Sequence, residues 1–179
     1  MYKNLNFILF IFSIFLTKRI ESNPALEINM IVKGAGNQKI FYSRFSGKEP
    51  NEVFANREYA NYSSKTVYYL TNYENHILMK WDESLNSYRS MFQGLSNITQ
   101  INITFYKNSL IIDDMGSMFY SCSSLESIYF NNIDTSKIKS MSNMFYGCHS
   151  LTYIDLSAFN TSKVESMNSM FSGCSSLEK

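Results

Sequence analysis

Cys122, Cys148 and Cys174 recur at one fixed spacing and are the only cysteines in the 179-residue chain. Thiols could ligate a metal or close a disulfide. However, Leu95 fills the equivalent place one unit earlier, and leucine cannot substitute for a ligand. The series therefore reads as a buried ladder of small apolar side chains, one per unit, because free cysteine packs as a small hydrophobe. A disulfide between adjacent rungs is the other arrangement open to it in an oxidising compartment. The only two histidines, His76 and His149, fall in different parts of the chain, and neither has zinc or catalytic-triad spacing around it. Gly34-Ala35-Gly36 lacks the third glycine and following helix of a dinucleotide fingerprint. The expectation is a protein that is not an enzyme and uses no metal or cofactor. A net charge of +1 gives no footprint for nucleic acid.

The remaining chemistry is non-covalent. Three short stretches alternate apolar and polar residues, as half-buried strands do. Their outward positions are Gln100, Asn102 and Thr104, then Ser127, Tyr129 and Asn131, then Tyr153, Asp155 and Ser157. Side by side, these would form a three-by-three patch of amides, hydroxyls and two tyrosines. Tyrosine offers a large contact area at low entropic cost, so such a patch suits recognition of a macromolecule. Asn61, Asn97, Asn102 and Asn160 each begin an Asn-x-Ser/Thr sequon, an acceptor for glycan if the source is eukaryotic. Sugar on Asn102 would block the patch.

What must position these residues is a repeat. Met118-Phe119-Tyr120-Ser121-Cys122-Ser123-Ser124-Leu125 returns as Met144-Phe145-Tyr146-Gly147-Cys148-His149-Ser150-Leu151 and again as Met170-Phe171-Ser172-Gly173-Cys174-Ser175-Ser176-Leu177. A degraded copy begins at Met91-Phe92. It stands one position further from Met118-Phe119 than the later copies stand from each other, and the extra residue is expected near Lys107-Asn108. Self-similarity at a fixed period signals stacked repeats. Leu125, Ile128 and Phe130 read as the strand of each unit. Ile138, Met141, Met144, Phe145 and Cys148 fall on one stripe at helical spacing. Asp134-Thr135-Ser136 offers N-cap chemistry, Ser162 and Glu165 a capping box, and Gly147 and Gly173 a helix stop. The predicted unit is strand, turn, short helix, turn. The predicted fold class is α/β: a short leucine-rich-repeat-type solenoid of strand–helix repeats behind a small β-rich N-terminal cap.

The Met-Phe-x-x-Cys-x-Ser-Leu block, the L-x-x-I-x-F spacing and the (Asp/Asn)-Thr-Ser-Lys-(Ile/Val) segment together resemble the BspA-like leucine-rich repeat surface proteins over roughly residues 85 to 179. That resemblance implies a secreted or surface-displayed protein used in adhesion or binding. It does not specify a ligand.

The rest of the chain fits such a protein. Residues 1–22 read as a signal peptide: Lys3, a twelve-residue apolar run from Leu5 to Leu16, then Lys18-Arg19. The run is short of the ~20 residues a spanning helix needs, so a membrane role arises only if this leader is uncleaved. Residues 23–84 lack the repeat and offer strands at Leu26–Val32, Gln38–Arg44, Glu52–Asn56, Thr66–Leu70 and His76–Trp81, the first two as a hairpin about Gly34-Ala35-Gly36-Asn37. Residues 85–179 hold the repeats and stop shortly after a strand-start leucine, which reads as a truncation or as an edge that a partner covers. Aromatics are abundant, with 13 Tyr and 14 Phe, and apolar residues make up 45%, enough for a core. The functional expectation is adhesion to a protein or glycan on a host or neighbouring cell surface. A structural surface coat and a truncated, inactive member of a repeat family are the alternatives.

Overall fold

A computed structural model describes residues 24–40, 48–60, 62–64, 67–83, 85–106 and 112–178. The leader, the sequon at Asn61, most of the expected strand from Gln38 to Arg44 and the extra residue near Lys107-Asn108 lie outside the described residues. Ten strands form among the described residues: β1 (Leu26–Lys33), β2 (Gly36–Lys39), β3 (Glu52–Ala55), β4 (Glu58–Tyr59), β5 (Tyr62–Ser64), β6 (Val67–Leu70), β7 (Glu74–Trp81), β8 (Ile98–Phe105), β9 (Ser127–Asn131) and β10 (Tyr153–Ile154). Seven make one mixed sheet in the order β10-β9-β8-β1-β7-β3-β4, and β2, β6 and β5 make a smaller one.

The expected hairpin does not form. β1 pairs antiparallel with β7 on one side and β8 on the other, while β2 pairs with β6. Leu26, Ile28, Met30 and Val32 of β1 are all buried, in one core with the residues of the turn layer. Gly34 and Gly36, at φ of 104° and 79°, carry the chain out of one sheet into the other.

The repeats enter this sheet one strand each. β8 and β9 are parallel, with Ile101 opposite Ile128 and Ile103 opposite Phe130, and β10 follows with Ile154 opposite Ile128. The expected alignment of the repeats thus holds at the strands. The rest of each unit differs from expectation. No helix exists among the described residues. The α/β leucine-rich-repeat solenoid of strands and helices is not the fold; the chain is a β-rich protein in which a layer of turns covers the inner face of the sheet.

Backbone bonding explains why the helical stripe fails to make a helix. In an α-helix every amide donates four residues back. Here Met118, Tyr120 and Cys122 donate three residues back, to Met115, Ser117 and Phe119, at 3.3, 3.1 and 3.0 Å. The amides between them donate to the next unit: Ser117 to Ser142, Phe119 to Met144 and Ser121 to Tyr146, at 2.9, 2.9 and 2.7 Å. Ser117, Asn143 and Ser169 hold φ of 56°, 56° and 55°, and Ser121, Gly147 and Gly173 follow at 57°, 71° and 79°. Two left-handed positions so close together break any helix. The anticipated caps are local turns instead: Asp134 Oδ1 accepts from the Ser136 amide at 2.9 Å and Asn160 Oδ1 from the Ser162 amide at 3.0 Å. Glu165 closes no capping box; its amide donates to the Lys139 carbonyl.

Stacked turns still bury the stripe. Met118, Phe119, Met144, Phe145, Cys148 and Leu151 are fully buried. Phe92, Phe119, Phe145 and Phe171 form a column with ring centroids 5.4–5.5 Å apart and planes within 14° of parallel. Its first three rings pack with Ile28, Met30, Ile101 and Ile103 of the sheet into one core, and Phe171 lies exposed at its end.

Candidate functional site

The three cysteines are free thiols, two buried and the third partly so, with Sγ donating to the carbonyls of Phe92, Phe119 and Phe145 at 3.0, 3.1 and 3.0 Å. Burial pushes the Cys148 thiol up to about 12 and Cys122 well above its ordinary value. A thiol held so far up stays protonated at neutral pH, which lowers its reactivity as a nucleophile. Leu95 is 4% exposed in the same column, which makes the series the expected ladder. Among the described residues no cluster of three His, Cys, Asp or Glu could hold a metal ion.

The candidate site lies instead on the outer face of the seven-stranded sheet. Strand pairing arranges that face in rows running across the strands. The central row is Tyr59, Phe54, Leu78, Asn29, Asn102 and Tyr129. On one side lies His76, Ile31, Gln100, Ser127 and Tyr153. On the other lies Glu52, Lys80, Glu27, Thr104 and Asn131. A groove of about 880 Å³ crosses the middle of this face, from Phe54 and Arg57 at one end to Tyr129 at the other. Phe54 and Tyr129 are four strands apart, roughly 19 Å at the usual inter-strand spacing.

Each wall has its own support. At the β9 end, Asn131 Nδ2 donates to Asn102 Oδ1 at 2.5 Å and to Thr104 Oγ1 at 3.2 Å, which fixes the Asn102 amide. Tyr129 stands 51% exposed. At the β3 end, Phe54 packs on Tyr59 with centroids 4.5 Å apart, and Lys80 Nζ sits 5.8 Å from the Phe54 ring centre. Asn56 and Arg57 make the two-residue turn between β3 and β4, both left-handed at φ of 53° and 73°. The turn is pinned by Asn56, whose Nδ2 donates to Asn75 Oδ1 and whose Oδ1 accepts from the His76 amide, each at 3.0 Å. Arg57, His76 and Lys80 line the groove, and among the described residues no carboxylate does.

Of the residues expected from the sequence, Gln100, Asn102 and Tyr129 line this groove, and Thr104, Ser127, Asn131 and Tyr153 surround it on the same face. Asp155 and Ser157 are elsewhere: β10 ends at Ile154, and Asp155 Oδ1 accepts from the Ser157 amide at 2.8 Å in a turn beyond it. Two expected glycan acceptors are already engaged. Asn97 Nδ2 donates to Gln38 Oε1 at 3.1 Å and to the Lys39 carbonyl at 3.2 Å, and Asn160 Oδ1 caps its own turn.

Sequence reading missed the other half of the groove: Asn29, Ile31, Phe54, Arg57, His76, Leu78 and Lys80. One signal could have found it. Ile31 and Leu78 are apolar residues at the wet positions of strands whose dry positions are already filled. Large apolar side chains on an outer face mark contact sites when they cluster.

Two overlapping segments, residues 61–130 and 86–179, match the family described as "Mycoplasma protein of unknown function, DUF285". The chain belongs to that family. No curated protein and no solved structure matches it.

Proposed function

We propose that this protein is a secreted or surface-displayed, non-enzymatic recognition protein that holds a macromolecule of a host or neighbouring cell in the outer-face groove. The groove itself carries this reading: about 880 Å³, within the size range of ligand sites, with apolar Phe54, Leu78, Ile31 and Tyr129 interleaved with the amides of Asn29, Gln100 and Asn102. Those side chains contribute nothing to the core, which is sealed on the opposite face of the sheet. The finer resemblance to BspA-like surface proteins, carried by the Met-Phe-x-x-Cys-x-Ser-Leu block, supports display outside the cell, as does the basic–apolar leader.

The test is capture of the purified protein by a panel of host-cell and matrix surfaces, beside a Phe54→Ala/Tyr129→Ala variant of matched circular dichroism. Both aromatics stand towards the ends of the central row on the outer face, so their loss should weaken binding about tenfold or more while the fold survives. Equal capture of the two proteins would dismiss the groove. A protein that ignores every surface and sediments as ordered assemblies would instead be a structural coat.

A further inference from the structure

The groove lies on a sheet face rather than at a sheet edge. The backbone groups of its floor are already spent on pairing among β3, β7, β1, β8 and β9. An incoming peptide therefore cannot bond its main chain there strand-fashion, and recognition falls to side chains alone. Those side chains are of three kinds. Gln100 offers an amide that both donates and accepts, while Asn29 Nδ2 already donates to Glu27 Oε1 and Asn102 Oδ1 already accepts from Asn131, which leaves the Asn29 oxygen as acceptor and the Asn102 nitrogen as donor for the hydroxyls of a sugar ring. Phe54 and Tyr129 offer ring faces, on which the C–H face of a sugar packs. Arg57 and Lys80 put positive charge at the Phe54 end; Lys80 has Glu27 and Glu52 as its cross-strand neighbours, which leaves Arg57 as the cation available to a ligand.

Arg57 supplies an independent observation. It occupies the second position of a two-residue turn at φ of 73°, where glycine is the residue of choice. Among the described residues its guanidinium has no ion-pair partner. A long cation held in a conformation that disfavours it, beside a groove, points to use of the side chain rather than to the needs of the turn.

We propose that the groove binds an acidic oligosaccharide, with the Arg57 guanidinium pairing with a sugar carboxylate and the amide floor reading its hydroxyls. This rests on the groove being the recognition surface, and it names the class of ligand. Arginine suits the role because its planar fork engages both carboxylate oxygens.

The experiment measures binding of the full chain to a panel of oligosaccharides bearing uronate or sialate groups. Each is paired with its carboxyl-reduced form, and an oligoglutamate peptide is run beside them. At least one acidic sugar should bind, and its reduced form should bind roughly tenfold or more weakly, the loss expected for a charge-assisted contact. Arg57→Gly should lose affinity to the same degree while melting at the same temperature or higher, because glycine relieves the turn. Arg57→Lys should retain part of the affinity. Binding should also weaken with added salt. Failure of every acidic sugar to bind, equal binding of the reduced forms, preference for oligoglutamate, or an Arg57→Gly protein of undiminished affinity would each overturn the inference. If Phe54→Ala/Tyr129→Ala still abolished surface capture in those cases, the groove would stand as the recognition surface and only its ligand class would fall.

Discussion

At Ser121, Gly147 and Gly173 one backbone position recurs, left-handed each time, and only Ser121 carries a Cβ there. A non-glycine residue in this region costs about 1–2 kcal/mol, partly offset by the entropy glycine loses on folding. Ser121→Gly should therefore raise stability by roughly 0.5–1 kcal/mol in urea unfolding. Cys148 gives a pH dependence. Its folded thiol is held up at about 12 against an ordinary 9.0, burial being the largest cause. The unfolded chain thus loses the proton first as pH rises. The stability this adds is complete below about pH 9 and declines towards 12. Alkaline unfolding followed from pH 8 to 12 should show a shallower decline in Cys148→Ala than in the wild type. Of these residue-scale features the cysteine ladder was legible, because Leu95 betrayed its apolar character. Of the left-handed positions, Gly147 and Gly173 were legible as glycines, whereas Ser117, Ser121, Asn143 and Ser169 were not, since serine and asparagine stand where glycine would have advertised them.

Among elements, the stacked turns depart furthest from what the sequence pattern suggests. A stripe at offsets of three and four is common to a helix and to a train of tight turns that each point one residue inward. The two differ in where alternate amides go, and that is decided by a neighbouring unit, one full repeat away along the chain. The longer strands were legible because period-2 alternation survives whatever the partner, whereas the short β4 and β5 were not, and the third repeat strand, expected through Ser157, ends at Ile154. Pairing was not: β1 lies between β7 and β8, which both come much later in the chain, and no local pattern encodes that choice. The groove was hidden for the same reason, since it exists only once those strands meet. The phenylalanine column makes its own prediction. Phe119 is fully buried between two rings, while Phe171 is 36% exposed at the end of the column. Phe119→Ala should cost about 3–5 kcal/mol and Phe171→Ala distinctly less, as measured by denaturant midpoints.

For the whole molecule, β1 joins the two halves. It is bonded along its length to β7, from the stretch without repeats, and to β8, from the first repeat unit. The two stretches therefore share one sheet and one core. Unfolding should be a single transition. Trp81, the only tryptophan, is buried in β7 and reports the non-repeat stretch, whereas far-ultraviolet circular dichroism reports the strands of both. The two signals should coincide in guanidinium; separate midpoints would show that the halves come apart independently.

Each unit hands its successor the same set of amide donors that the previous unit handed to it. A gene segment encoding one unit could therefore be copied or lost in frame, and the surviving turns would still meet matching carbonyls. Such an event would add or remove one strand, about 4.8 Å of width, on the β10 side of the sheet. Phe54, Arg57 and Lys80, on the far side of the groove from Tyr129, would be inherited unchanged. Lineages could in this way vary one wall of the groove by copying errors while keeping its charged end intact.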